Sequence, residues 1–223
     1  MFGGTVEMGK EMMREDIVRS CIDCGTKSCS KLDGANPPFC LTADMDQEIL
    51  DEATILYTED DWNMQVAKAA AEVEAEYYCK LTRIEEIIEF AKKMDMKRIG
   101  IATCVGLLSE ARTAAQIFRH AGFEVYGVAC KAGAQPKVSI GIPKSCEKVG
   151  KSMCNPILQA KLLKKAQTEL NVVMGLCVGH DSLFYKYTET LTTTLVTKDR
   201  VLGHNPAAAL YQSNSYYSKL LKD

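Results

Sequence analysis

No run in this chain approaches the roughly eighteen consecutive apolar residues that a bilayer-crossing helix needs, so the sequence predicts no membrane span. An apolar secretory core is missing as well. Residues 1–20 carry Glu7, Lys10, Glu11, Arg14, Glu15 and Asp16 where such a core would lie, and the expectation is a chain that stays in the reducing cytoplasm. Excess basic charge is absent: 27 Lys and Arg against 29 Asp and Glu leave a net charge of −2, which offers no basic surface for nucleic acid. Glycine is sparse where a nucleotide would demand it. The turn Cys104-Val105-Gly106-Leu107-Leu108-Ser109 holds one glycine, so neither the dinucleotide fingerprint nor the phosphate loop is present. There is no internal repeat and no low-complexity segment. The 47% hydrophobic and 25% charged residues are ordinary for a soluble protein with one sizeable core.

What is plentiful is cysteine, ten in 223 residues, too few and too spread for a disulfide scaffold, so metal binding or thiol chemistry is the better account. Four of them, Cys21, Cys24, Cys29 and Cys40, crowd into one polar, turn-forming stretch, C-I-D-C-G-T-K-S-C-S-K-L-D-G-A-N-P-P-F-C. Packing is a poor explanation there, because the thiols have almost no apolar neighbours. A C-x2-C pair can reach one metal from a single tight turn, and Gly25 lets the backbone bend around it. Zinc and iron–sulfur compete for the site. The Cys21-x2-Cys24-Gly25 opening is similar to a zinc knuckle, but Cys29 and Cys40 do not supply a second tight pair. Three close thiols followed by a later one are broadly like many four-thiolate clusters, although neither ferredoxin spacing is matched, and iron–sulfur is the favoured cofactor with zinc as the alternative.

The chain divides near residue 60. Residues 1–60 hold the polar leader, the cysteine-rich module and a helix predicted over 43–57; residues 61–223 form an α/β domain. Trp62, Val66, Ala69, Ala70, Val73 and Tyr77 recur at helical spacing and predict a core-facing helix that Cys79 terminates as a core residue. Thr82-Arg83-Ile84-Glu85 reads as a capping box for the next helix, with Ile84, Ile87, Ile88, Ala91 and Met94 on one stripe. From Arg98 strands and helices alternate: strands over 99–104, 124–130, 171–178 and 191–197, helices over 108–121 and 156–170, and a last helix opened by Asn205-Pro206. Such alternation predicts an open parallel sheet of about four strands, in order 2-1-3-4, with helices on both faces.

In that topology Cys104, Cys130 and Cys177 close three strands at one edge, the carboxyl edge where sites lie in open α/β sheets. The fourth strand delivers Lys198-Asp199-Arg200 and then His204, while Cys154 comes from the long connection and His180 and Asp181 follow Cys177. A single free cysteine is more often packing than function, and it is the shared placement that points to a reactive or metal-binding cleft. Cys104, Cys130, Cys177, Lys198 and Asp199 are the candidate catalytic groups. Cys154, His180, Asp181, Arg200 and His204 are candidates for holding a cofactor or substrate. A strand-end cysteine ahead of a helix, near cations, is biased toward the thiolate that binds metal or attacks. His120 reads as a solvated residue at a helix C-terminus.

Residues 98–106, Cys130-Lys131, Cys154-Asn155-Pro156, Gly175-Leu176-Cys177-Val178-Gly179-His180-Asp181-Ser182-Leu183-Phe184, Lys198-Asp199-Arg200 and Gly203-His204-Asn205-Pro206 together resemble an uncharacterised prokaryotic family described only as cysteine-rich, metal-binding and of unknown function. The resemblance implies that Cys21, Cys24, Cys29, Cys104, Cys130, Cys154 and Cys177 belong to its recurring cysteines; Cys79 and Cys146 fall outside that pattern. It implies a metal and a cleft and names no reaction.

Two functions of different class follow. One is a redox or sulfur-handling enzyme in which the N-terminal centre carries electrons or sulfur. Its edge thiols bind a second centre or act as nucleophiles, and Lys198 and Arg200 hold a small anionic or sulfur-containing molecule. An electron-transfer protein is the other partner expected. The alternative is zinc storage or delivery, or a small-molecule-binding module without catalysis.

Overall fold

The computed structural model describes residues 18–32 and 34–222. The charged residues of the polar leader, Glu7 to Asp16, lie outside the described residues. Contacts divide the chain between Met64 and Gln65 into two compact units.

In the first unit the cysteine stretch forms two short 3-10 turns, Cys21–Asp23 and Ser28–Ser30, followed by helix α1 (Gln47–Thr58). The helix starts later than residue 43 because Asp46 caps it, its carboxylate accepting from the backbone N–H of Glu48 at 3.0 Å. The segment before the cap is instead a turn in which the Ala43 and Asp44 amides donate to the Cys40 carbonyl. No residue of α1 is buried.

Helix α2 (Asp61–Tyr77) begins just ahead of the division and lies mostly in the second unit. Of its predicted stripe only Ala69 and Val73 are buried, and Trp62 is exposed. Cys79 also departs from expectation: it is exposed and sits at φ 58°, in the left-handed turn after the helix. Helix α3 (Arg83–Lys93) is entered through the predicted capping box. The Thr82 backbone N–H donates to the Glu85 carboxylate at 2.7 Å and the Thr82 hydroxyl at 2.6 Å, which hold the Glu85 carboxyl below its ordinary range.

The remaining elements are β1 (Arg98–Thr103), α4 (Leu108–His120), β2 (Glu124–Ala129), α5 (Pro156–Lys165), β3 (Leu170–Met174), α6 (His180–Tyr187), β4 (Leu191–Val196) and α7 (Ala207–Tyr211). The four strands form one all-parallel sheet in the order β2-β1-β3-β4, as the alternation predicts. Strand periodicity sorts the core into two layers. Ile99, Ile101, Leu170, Val172 and Met174 face Ile87, Ile88 and Ala91 of α3 and Ala114, Ala115 and Phe118 of α4. Ala102, Val128 and Val173 face Ala160 and Leu163 of α5 and Phe184 of α6. Both faces of the sheet are therefore covered, which leaves its carboxyl edge as the place where loops converge.

Two predicted boundaries move, with consequences for that edge. The third strand stops at Met174 because Gly175 turns the chain at φ 64°, where an added Cβ would stand 2.7 Å from Leu107 Cδ2. Cys177 accordingly lies in the turn beyond β3 and not on the strand. His180 is the first residue of α6 and not a loop residue. Helix α5 ends at Lys165, well before residue 170, because Gln167 adopts φ 54° and the Thr168 amide closes back on the Leu163 carbonyl. Among the described residues no helix is long and apolar enough to cross a membrane.

Candidate functional site

Cys104 directly follows β1 and Cys130 directly follows β2, both buried. The backbone locks them in place: the Cys104 amide donates to the Met174 carbonyl at 3.1 Å and the Cys130 amide to the Thr103 carbonyl at 2.8 Å. Their sulfurs accept from the first turn after β1, Cys104 Sγ from the Gly106 amide and Cys130 Sγ from the Val105 amide, each at 3.4 Å. Gly106 is also where a cation arrives. A Cβ placed there would be 3.8 Å from Cys104 Sγ and 3.9 Å from Lys198 Nζ, so Lys198, carried by the loop after β4, reaches the same turn as Cys104.

Cys154 reaches the edge from the long connection between β2 and α5. The Asn155 amide donates to the Cys130 carbonyl at 2.8 Å, laying the end of this connection alongside the end of β2. There Cys130, His180 and Lys131 act on the Cys154 thiol. The hydrogen bond from Cys130 does most to draw the Cys154 thiol far below its usual range, with His180 next, and burial opposes them. Cys130 moves the opposite way, raised by the same bond and by burial. His180 is raised above the ordinary histidine value, first by Cys154 and, after the opposing effect of burial, by Cys177. Cys177 in turn accepts from Arg200 Nη2 at 2.9 Å. The result is a continuous run, Lys131 and Cys130 to Cys154 to His180 to Cys177 to Arg200, with Cys130 buried and Cys154 and Cys177 half-buried.

Other sequence candidates have different employment. The Asp199 carboxylate accepts from the amides of Val201 and Leu202, each at 2.8 Å, and His204 Nδ1 accepts from the Asp199 amide at 3.1 Å. These two residues hold the 199–204 loop that presents Arg200. Asp181 accepts from the Ser182 amide at 2.8 Å within the first turn of its own helix. Cys146 is exposed in the 3-10 turn Lys144–Val149.

Two participants escaped the sequence reading. Lys131 adjoins Cys130, and a lone lysine beside a strand end carries no signal of its own in the sequence. Gln159 is a polar residue on the buried stripe of α5, between Pro156, Ala160 and Leu163, which is the signal that marks it. Fully buried, it donates through Nε2 to the Thr103 carbonyl at 3.1 Å and the Val128 carbonyl at 2.7 Å, tying together the ends of β1 and β2 that carry Cys104 and Cys130. Gln159→Leu removes both bonds from a fully buried site and is expected to cost about 1–3 kcal/mol. Urea denaturation measures this, and an unchanged midpoint would show that the clamp does not hold the strand ends.

The N-terminal cysteines are free thiols, Cys21 and Cys29 exposed and Cys24 and Cys40 half-buried. Cys24 is drawn below its usual range by the Lys27 amide and by the Thr26 hydroxyl at 3.5 Å. Among the described residues, no three Cys, His, Asp or Glu side chains converge to hold a metal ion, at this stretch or at the sheet edge. The edge thiols form a chain of pairwise contacts in place of a closed shell. A cavity of about 630 Å³ lies away from them, between α2, α3 and the starts of β3 and β4, lined by Val66, Val73, Ile87, Phe90, Leu170 and Leu191 among others. No histidine is in its lining and its single thiol is Cys79.

The family model described as "Protein of unknown function (DUF1847)" matches residues 40–195, which span β1 to β4 and Cys104, Cys130, Cys154 and Cys177. The chain belongs to this family. It is 44% identical over 198 residues to an uncharacterized protein of Methanocaldococcus jannaschii, covering 86% of this chain and 98% of that one. Among solved structures it is similar to Dph2 from Pyrococcus horikoshii with a 4Fe-4S cluster, at 18% identity and a TM-score of 0.33. That match covers 63% of this chain and 33% of Dph2, so the chain spans about a third of that protein's length.

Proposed function

We propose that this is a cytoplasmic redox or sulfur-handling protein whose working group is the Cys154 thiolate. The placement of Cys154 carries the reading: the bond from the Asn155 amide to the Cys130 carbonyl, 2.8 Å, brings this half-buried thiol to the end of β2, where Cys130, His180 and Lys131 favour its charged form. A thiolate is the nucleophilic form of cysteine, and pairing with an imidazolium is a standard way to keep it charged near neutrality. Lys198 at the Gly106 turn beside Cys104 and Arg200 bonded to Cys177 give the site a basic rim suited to a small anionic or sulfur-containing molecule. Iodoacetamide labelling across about pH 5 to about pH 8 with peptide mapping tests it. Cys154 is expected to label at a nearly constant rate, whereas a free small-molecule thiol slows about tenfold for each pH unit below its pKa. If Cys154 follows the small-molecule profile, the reading is wrong.

We further propose that Cys21, Cys24, Cys29 and Cys40 bind one metal centre, iron–sulfur in preference to zinc, serving an electron-transfer partner. The donor chemistry supports this, since all four are free thiols in a polar stretch and Cys24 is already biased toward thiolate. Their placement does not form a ready shell, so binding has to draw them together; the thiolate chemistry of Cys154 needs no such centre. Anaerobic purification followed by iron, zinc and sulfide analysis is the test. Iron with sulfide, lost in Cys24→Ser, is expected. Zinc without sulfide reassigns the module to metal storage or structure, and undiminished metal in Cys24→Ser protein that also lacks the edge cysteines removes the assignment.

A further inference from the structure

We infer that Cys154 and Cys130 form a dithiol–disulfide couple that exchanges electrons with small anionic disulfides, an inference that rests on Cys154 being the working thiolate. The bond from the Asn155 amide to the Cys130 carbonyl, 2.8 Å, brings the backbone of Cys154 against that of Cys130. The two thiols are near enough to act on each other, that of Cys154 drawn down and that of Cys130 pushed up, and a disulfide needs their Cα atoms within about 7 Å. The Cys104 and Cys130 sulfurs each accept from an amide of the turn after β1, but it is the Cys130 carbonyl that holds the backbone beside Cys154, and Cys177 lies on the far side of His180, bonded to Arg200.

Exposure divides the labour. Cys154 is half-buried and open to an incoming disulfide, whereas Cys130, 2% exposed, can be reached only through Cys154. The Cys154 thiolate attacks one sulfur of R–S–S–R, breaking that bond, forming Cys154–S–S–R and expelling RS⁻, which takes a proton from His180. Cys130 then attacks the Cys154 sulfur, forming Cys130–S–S–Cys154, and the second RS⁻ leaves with the Cys130 proton. Two electrons pass to the small disulfide and two RSH are released; a small dithiol running the sequence backwards restores the pair. Lys131 and Arg200 act on the attacking sulfur and Lys198 lies at the Gly106 turn of the same edge, which favours anionic R groups over neutral ones.

The test uses the reduced full-length protein, exposed anaerobically to oxidised glutathione as the anionic probe and to bis(2-hydroxyethyl) disulfide as the neutral one. Acid quenching, differential alkylation and peptide mapping follow. A Cys130–Cys154 linkage is expected, formed at least about tenfold faster with the anionic probe and with an advantage that shrinks in high salt. Cys130→Ser is expected to stop at a stable mixed disulfide on Cys154; if that variant fails to fold, the linkage map of the natural chain decides alone. A Cys154 that halts at the mixed disulfide in the natural chain, or pairs with Cys104 or Cys177, overturns the couple and leaves the thiolate reading standing. Equal rates with both probes overturn the anionic substrate class. A Cys154 inert to both disulfides and to iodoacetamide sinks the thiolate reading itself.

Discussion

Gly100→Ala is expected to destabilise the α/β unit by about 3 kcal/mol or more, lowering its melting temperature by about 10 °C. Gly100 lies mid-strand in β1, and a Cβ there would stand 2.2 Å from Asn171 Oδ1, 3.0 Å from Thr168 Cγ2 and 3.1 Å from Leu163 Cδ2. None of these is the free end of a mobile side chain. Asn171 is fully buried, its Oδ1 accepting from the Thr168 hydroxyl at 2.8 Å and its Nδ2 donating to the Thr188 hydroxyl at 3.1 Å. To admit a methyl group, Asn171 has to surrender these bonds inside the core, or α5 has to lift from the sheet, and either course leaves buried polar groups unpaired. Gly127→Ala is the control. On the neighbouring strand β2 its Cβ would meet nothing nearer than Ile101 at 4.0 Å, so thermal unfolding followed by circular dichroism should barely change. If the two variants melt alike, the packing around Asn171 is looser than these distances require.

His180→Ala is expected to slow Cys154 alkylation at about pH 6 by at least about tenfold, and Cys154→Ser to remove the reactive thiol altogether. Cys154 and His180 shift each other in opposite directions, the thiol down and the imidazole up, so each favours the charged form of the other. As pH falls through the depressed Cys154 value the thiolate takes up a proton and reactivity is lost. As pH rises through the raised His180 value the imidazolium is lost, but the sulfur stays anionic and reactive. Without His180 the lower limb moves upward, while the Cys130 and Lys131 contacts keep it below that of an ordinary thiol. Iodoacetamide rate profiles of both variants, with circular dichroism to establish folding, provide the measurement. An unmoved lower limb in His180→Ala would assign the thiolate to Cys130 and Lys131 alone.

The same two regions show how far the linear chain could be read. Sheet order and the two-faced core were legible because strand and helix periods are local properties. Ile99 and Ile101 alternate with Ala102, Ile87 and Ala91 recur on a helical face, and right-handed crossovers leave few ways to connect four parallel strands. The convergence of thiols on one edge followed from that topology. Boundaries were less legible where one backbone dihedral or one cap decides them, as at Gly175 and Asp46. The stripe on α2 misled because helical spacing records which residues could be buried, whereas burial needs a partner: Trp62 and Cys79 are exposed.

By itself, then, the sequence determined the class of fold, the order of its strands and the kind of chemistry its edge can carry, because composition and period act over short stretches of chain. Which thiol is activated was decided only by tertiary structure. Cys154 owes its character to Cys130, Lys131 and His180, groups brought from the end of β2 and the start of α6 by hydrogen bonds that close a long connection. Asp199 and His204 show the converse, polar residues of suitable type spent on holding a loop. Electrostatic and hydrogen-bonding effects on a titrating group depend on separations of a few ångströms, and only the folded chain sets those between residues far apart in sequence.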